Sequence, residues 1–71
     1  MKTRYRFIHF INIGYDWYCY TNSKPAKNLG FCEFYQAWKQ WQFVPSDGTA
    51  YTSECCRDIA HFLDQLKEQP K

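Results

Sequence analysis

The side chains with the most chemical capacity in this 71-residue chain are four cysteines, Cys19, Cys32, Cys55 and Cys56, and two histidines, His9 and His61. The cysteines are spaced C-x12-C-x22-C-C, without the C-x2–4-C knuckle through which two thiolates of one turn grip a structural zinc. On a helix, the adjacent Cys55 and Cys56 point about 100° apart, which suits neither a shared metal nor a mutual disulfide. Cys19 and Cys32 fall in strand-like segments and could be cross-strand neighbours. No secretion signal is read: Met1-Lys2-Thr3-Arg4 is charged, but Arg6, His9 and Asn12 break the segment after it. Free thiols in a reducing, cytoplasmic compartment are therefore expected, packed as small hydrophobes and holding no metal.

The histidines offer no more. His9 has no acid or nucleophile at a readable spacing, and His61 lies on the polar side of a helical stripe. No GxSxG, HExxH or phosphate loop occurs, and three glycines cannot build a nucleotide cradle. No catalytic residue and no cofactor are expected, so the chain reads as a non-enzyme. One motif points to nucleic acid: Lys27-Asn28-Leu29-Gly30-Phe31-Cys32-Glu33-Phe34 follows an RNA-recognition signature at Lys27, Gly30, Phe31 and Phe34. That module stacks bases on rings displayed by an open sheet. It also needs a helix between its first two strands, for which Gly14–Asp16 leaves no room.

The elements that must carry these residues follow from periodicity. Residues 4–13 are rich in β-branched and aromatic types and read as a strand, with Gly14 at a bend. Residues 16–20, 29–35 and 40–44 read as three more strands. They are separated by the polar loop Thr21–Asn28, which contains Pro25, and by a short turn over Gln36–Lys39. Pro45-Ser46-Asp47-Gly48 closes the sheet. The period then changes to 3.6, with Cys55, Ile59, Phe62, Leu63 and Leu66 forming a stripe, so a helix is expected over 53–68. Ser53 is the expected N-cap, Glu54 suits the positive end of the dipole, and Pro70 marks the stop. The expected fold is α+β, in one domain over residues 1–71: a four-stranded antiparallel β-meander with one C-terminal α-helix packed on one face (ββββα).

Parity then assigns faces. Trp17, Cys19, Cys32, Phe34, Trp41 and Phe43 are expected inside, with Phe7, Ile11 and Ile13 of the first strand turned the same way. The helix contributes Ile59, Phe62, Leu63 and Leu66. Ile8, Phe10, Tyr18, Tyr20, Leu29, Phe31 and Tyr35 are left on the outer face, with Arg4, Arg6 and Glu33. One helix covers one side of a sheet, and a large apolar patch on a small protein marks a contact surface. Rings beside arginine are also enriched at interface cores.

Composition agrees. Six Phe, six Tyr and three Trp make 21% of the chain, which excludes disorder, and no apolar run is long enough to span a membrane. A chain this short buries only about 60% of its unfolded surface, so its rings must supply most of the core. The net charge of +2 hides a mild asymmetry, with cations in excess over residues 1–39 and acids over 40–71. That permits an anionic partner but falls short of a nucleic-acid footprint.

The run Leu29-Gly30-Phe31-Cys32-Glu33-Phe34-Tyr35-Gln36-Ala37-Trp38-Lys39-Gln40-Trp41-Gln42-Phe43-Val44-Pro45 resembles a pattern of small phage and prophage proteins, L-G-x-I-x-W-Y-x-x-W-R-x-Y-x-F-x-P. Cys55-Cys56-Arg57-Asp58-Ile59-Ala60-His61-Phe62-Leu63 is similar to the C-L-x-D-I-A-x-F-L helix that follows it, and Trp17 to an aromatic of the preceding strand. The chain departs from the pattern at Cys32, Phe34, Lys39 and Cys56. The resemblance covers roughly residues 15–66 and brings no catalytic residues. It implies a viral or mobile-element origin, a bacterial cytoplasm as the location, and a host or defence protein as partner, occluded in the manner of anti-CRISPR-like inhibitors. The expected contact residues are Arg4, Arg6, Tyr18, Tyr20, Phe31 and Tyr35, with Trp38 and Lys39 of the turn as a secondary contact. A homodimer through the same face and single-stranded nucleic acid stacked on it are the alternatives.

Overall fold

The computed structural model describes residues 1–69; Pro70, the expected helix stop, lies outside the described residues. Four strands, β1 (Ile8–Ile13), β2 (Asp16–Thr21), β3 (Asn28–Tyr35) and β4 (Gln40–Pro45), form one antiparallel sheet in the order β1-β2-β3-β4, followed by the helix α1 (Ser53–Lys67). This is the expected ββββα meander. Gly14, at φ 66°, and Tyr15 join β1 to β2 as a two-residue turn, the glycine-first arrangement that matches strand twist. The β3–β4 turn spans Gln36–Lys39 and ends with Lys39 at φ 52°.

Register sets the faces. Because Ile13 pairs with Asp16, Phe10 lies opposite Cys19 and Asn12 opposite Trp17. The β1 parity is therefore the reverse of the one expected. Ile8 and Phe10 are buried against the helix, while Phe7, Ile11 and Ile13 are exposed. Both alternating sets of β1 are apolar, so composition alone could not choose between them. Leu29 is a second correction: a bulge beside Cys19/Tyr20 skips it in the β2–β3 register, and it turns into the core beside Gly30.

The first strand is also shorter than expected. Residues 3–7 instead fold back along β1, with an isolated bridge between Arg4 and His9. That fold-back buries Tyr5, whose hydroxyl lies 2.8 Å from His61 Nδ1 and accepts from Gln65 Nε2 at 3.1 Å. Gln65 in turn clasps the backbone of Lys2 at both ends of its amide.

The core lies between the sheet and α1. Phe62 is fully buried, stacked on Phe10 at 3.9 Å and meeting Trp17 edge-on at 5.2 Å. Ile59 and Leu66 complete the buried stripe, and Trp41, Phe43, Tyr51, Cys55 and Leu63 pack against it. The helix is capped by Thr52 rather than Ser53: Thr52 Oγ1 accepts the Cys55 N–H at 3.2 Å. Gly30 is required where it stands. At φ 145° its backbone passes so close to β4 that a Cβ would run into the Val44 carbonyl oxygen. Tyr51 ties the closing loop down by donating its hydroxyl to the Leu29 carbonyl.

Candidate functional site

The sheet face opposite α1 carries one continuous apolar row. Across the four paired strands Ile11 faces Tyr18, Tyr18 faces Phe31, and Phe31 faces Val44, one side chain from each strand. Directly opposed residues share a face, so all four project from the same side. Tyr18 and Phe31 stack with ring centroids 5.3 Å apart. No element among the described residues packs over this row; Ile11 is 45% exposed, and Tyr18, Phe31 and Val44 are half-buried.

The rows beside it are mainly polar, with exposed Ile13 opposite Asp16 the apolar exception. On one side His9 stacks on Tyr20 at 6.0 Å, and Asn22 Oδ1 accepts from His9 Nδ1 at 2.7 Å and from Arg4 Nη1 at 3.0 Å. Arg4 is thereby held at the corner of the face next to Tyr20. On the other side parity places Asp16 and Glu33, with Gln42 Nε2 donating to Glu33 Oε2 at 2.8 Å. At the β3–β4 end Tyr35 meets Trp38 edge-on at 5.4 Å, and Trp38 stays 71% exposed.

Of the expected contact residues, Tyr18, Tyr20, Phe31 and Tyr35 share the open face, with Arg4 at its corner and Trp38 and Lys39 on the adjoining turn. Arg6 does not join them. It sits over the Phe7 ring and reaches Glu54 of the first helical turn at 3.8 Å, on the helix side of the sheet. Ile8, Phe10 and Leu29, expected on this face, are in the core. Ile11, assigned inward from the strand pattern, belongs to the face instead. Counting back from the two-residue Gly14–Tyr15 turn would have placed it correctly.

The thiols do not assemble into a site. Cys19 and Cys32 are buried side by side on the helix face, diagonal rather than directly opposed, and both are free, as are half-buried Cys55 and exposed Cys56. Burial, with a smaller contribution from Cys55, pushes the Cys19 thiol up to about 12. Burial chiefly, then Cys19 and Asp16, pushes Cys32 up to about 12. Such thiols are poor nucleophiles at neutral pH. Among the described residues no three His, Cys, Asp or Glu side chains gather as metal ligands, and no helix is long and apolar enough to cross a membrane. No family model, curated protein or solved structure matches the chain.

Proposed function

We propose that this chain is a small non-enzymatic binding module that acts by occluding the surface of a partner protein. The observation that carries the reading is the cross-strand row Ile11–Tyr18–Phe31–Val44, left uncovered among the described residues on the face away from α1. Its stacked Tyr18–Phe31 pair supplies rigid ring area at low entropy cost, and Arg4, Tyr20 and Tyr35 supply polar tips around it. Rings at the centre of a patch with charge at its rim are the composition that protein interfaces favour. The resemblance to small phage proteins makes a bacterial host or defence protein the proposed target, blocked in the anti-CRISPR-like manner and within the bacterial cytoplasm.

The test is capture from bacterial host lysate. Wild type is expected to retain a partner that Tyr18→Asp and Phe31→Asp lose, while Tyr15→Asp, on the exposed β1–β2 turn outside the face, keeps it. Retention of the same proteins by a folded Tyr18→Asp variant defeats the reading.

The stacked Tyr18–Phe31 pair also favours a second reading, single-stranded nucleic acid laid on the rings. Asp16 and Glu33 on the same face oppose a phosphate backbone, which is why it stands second. It requires a salt-sensitive shift of labelled single strands that Phe31→Ala abolishes.

A further inference from the structure

A cavity of about 490 Å³ opens at the end of the sheet where β2 begins, beside the last turns of α1. That volume falls within the range of about 300–1,000 Å³ typical of small-molecule sites. Trp17, Phe34 and Trp41 of three successive strands wall it, together with Leu66 of α1. Phe62 and Leu66 are the last buried residues of the helix, and at this end of the sheet the three rings are only half-buried. Phe34 and Trp41 meet edge-on at 5.9 Å with planes 76° apart, so they stand as two adjoining walls rather than as one flat stack.

The charge around this cavity has one sign. Asp16 and Glu33 are the only charged side chains among the described residues that line it. One step past the Trp17–Cys32 pair, the β2–β3 register sets these two carboxylates directly opposite each other. Like charges so placed repel. Alternation starts both side chains toward the other face of the sheet, but they enter the lining where β2 begins and the cavity opens around the sheet's end. The Asp16 charge lies near enough to the helix side to help push the Cys32 thiol up. Gln42 Nε2 holds one Glu33 oxygen at 2.8 Å, and no salt bridge among the described residues neutralises either acid.

We propose that this cavity binds a guanidinium group, laid against the rings of Trp17, Phe34 and Trp41 with its edge toward Asp16 and Glu33. Both halves of the lining ask for that chemistry. Ring faces attract a cation, most strongly a weakly hydrated one, and a planar guanidinium can stack on a ring while its N–H edge donates to a carboxylate. A quaternary ammonium has no N–H for the carboxylates, and a lysine ammonium is too strongly hydrated to gain as much from the rings. A neutral ligand would leave the two acids repelling each other. The guanidinium is either the side chain of an arginine in another protein or a free small guanidine. Tyr18 and Phe31 do not line the cavity, so this inference stands apart from the open-face reading.

The test follows the indole N–H resonances of the full chain during titration with three probes: N-acetylarginine amide, its neutral isostere N-acetylcitrulline amide, and methylguanidine. The arginine probe is expected to shift Trp17 and Trp41 saturably, with exposed Trp38 as the internal control. The citrulline probe should bind at least roughly tenfold more weakly. Asp16→Asn and Glu33→Gln, which keep side-chain shape at the end of the sheet, should each weaken the arginine probe severalfold. Phe34→Leu, which keeps apolar bulk without a ring, should weaken it as well, with circular dichroism confirming the fold of every variant. Tyr18→Asp should leave binding unchanged, so failure of the open-face reading and failure of this one are told apart. Tighter binding of the arginine probe than of methylguanidine supports an arginine side chain as the ligand, and equal binding supports a free guanidine. Four results overturn the proposal: no saturable shift at tens of millimolar probe, citrulline binding as well as arginine, carboxylate variants without effect, or shifts confined to Trp38.

Discussion

Phe62 and Phe31 are the same residue on opposite sides of the sheet, and truncating each to alanine measures whether one side is truly uncovered. Phe62 is fully buried, stacked on Phe10 and edge-on to Trp17. Phe62→Ala removes its transfer energy and leaves a cavity among rings that cannot close around it, a loss of about 3–5 kcal/mol. A chain of this length holds about 4–11 kcal/mol in total, so the variant sits at or near the limit of folding. Phe31 loses its stack on Tyr18 and its cross-strand contact with Val44, each worth about 0.2–1 kcal/mol, and leaves no enclosed void. Phe31→Ala should therefore cost no more than about 2 kcal/mol. In urea, with a slope of about 1 kcal/mol/M for a small domain, the two midpoints should differ by about 1 M or more at unchanged slope. Equal losses would mean that Phe31 is enclosed within the folded monomer, and the open-face reasoning would collapse with it.

Four other outcomes follow. Gly30→Ala should destabilise by about 2–6 kcal/mol, since its Cβ would meet the Val44 carbonyl and lie 2.8 Å from the Phe43 ring; Gly14→Ala, at φ 66° with open space around it, should cost about 1–2 kcal/mol, both read from thermal or urea melts. Thr52→Ala should lose about 1 kcal/mol while Ser53→Ala loses almost nothing, because only Thr52 accepts the Cys55 N–H. A thiol reagent should label Cys56 first and Cys55 more slowly, reaching Cys19 and Cys32 only on unfolding. Both buried thiols sit near 12 when folded, above the ordinary thiol value of 9.0, so between about pH 9 and 12 the native state holds the extra protons. Their stabilisation is complete below that window and falls as pH rises through it, and Cys19→Ala/Cys32→Ala should flatten the fall in urea midpoint between pH 8 and 10.

Most of the fold was legible because it depends on local pattern. The period-2 runs in β2, β3 and β4, the turn residues between them and the 3.6-residue stripe of α1 all specify element type without reference to anything distant. Trp17, Cys19, Cys32, Trp41 and Phe43 could be turned inward because the opposite alternation of each strand carries polar or charged residues, Asp16, Glu33, Gln40 and Gln42 among them. The candidate site was legible to the same extent: Tyr18, Tyr20, Phe31 and Tyr35 are the complement of that inner set. In the first strand the contrast misled: Arg4, Arg6 and Asn12 alternate with Phe7, Ile11 and Ile13, but Arg4 and Arg6 lie before β1, within which Ile11 and Ile13 are as apolar as Ile8 and Phe10.

Tertiary structure decided what pairing and close approach decide. The inward side of β1 is dictated by the ladder to β2, where opposing Phe10 to Cys19 brings Phe10 under Phe62 and releases Ile11 to the open row. Leu29 is buried by a one-residue slip that no alternation contains, and Arg6 leaves the face because the fold-back of residues 3–7 swings it toward Glu54. Tyr5 enters the core and Tyr51 packs against it, tied by hydrogen bonds to His61 and to Leu29, partners 56 and 22 residues away along the chain. Side-chain alternation is written every two residues, but which of two equally apolar sides is sheltered depends on what the chain brings back across it.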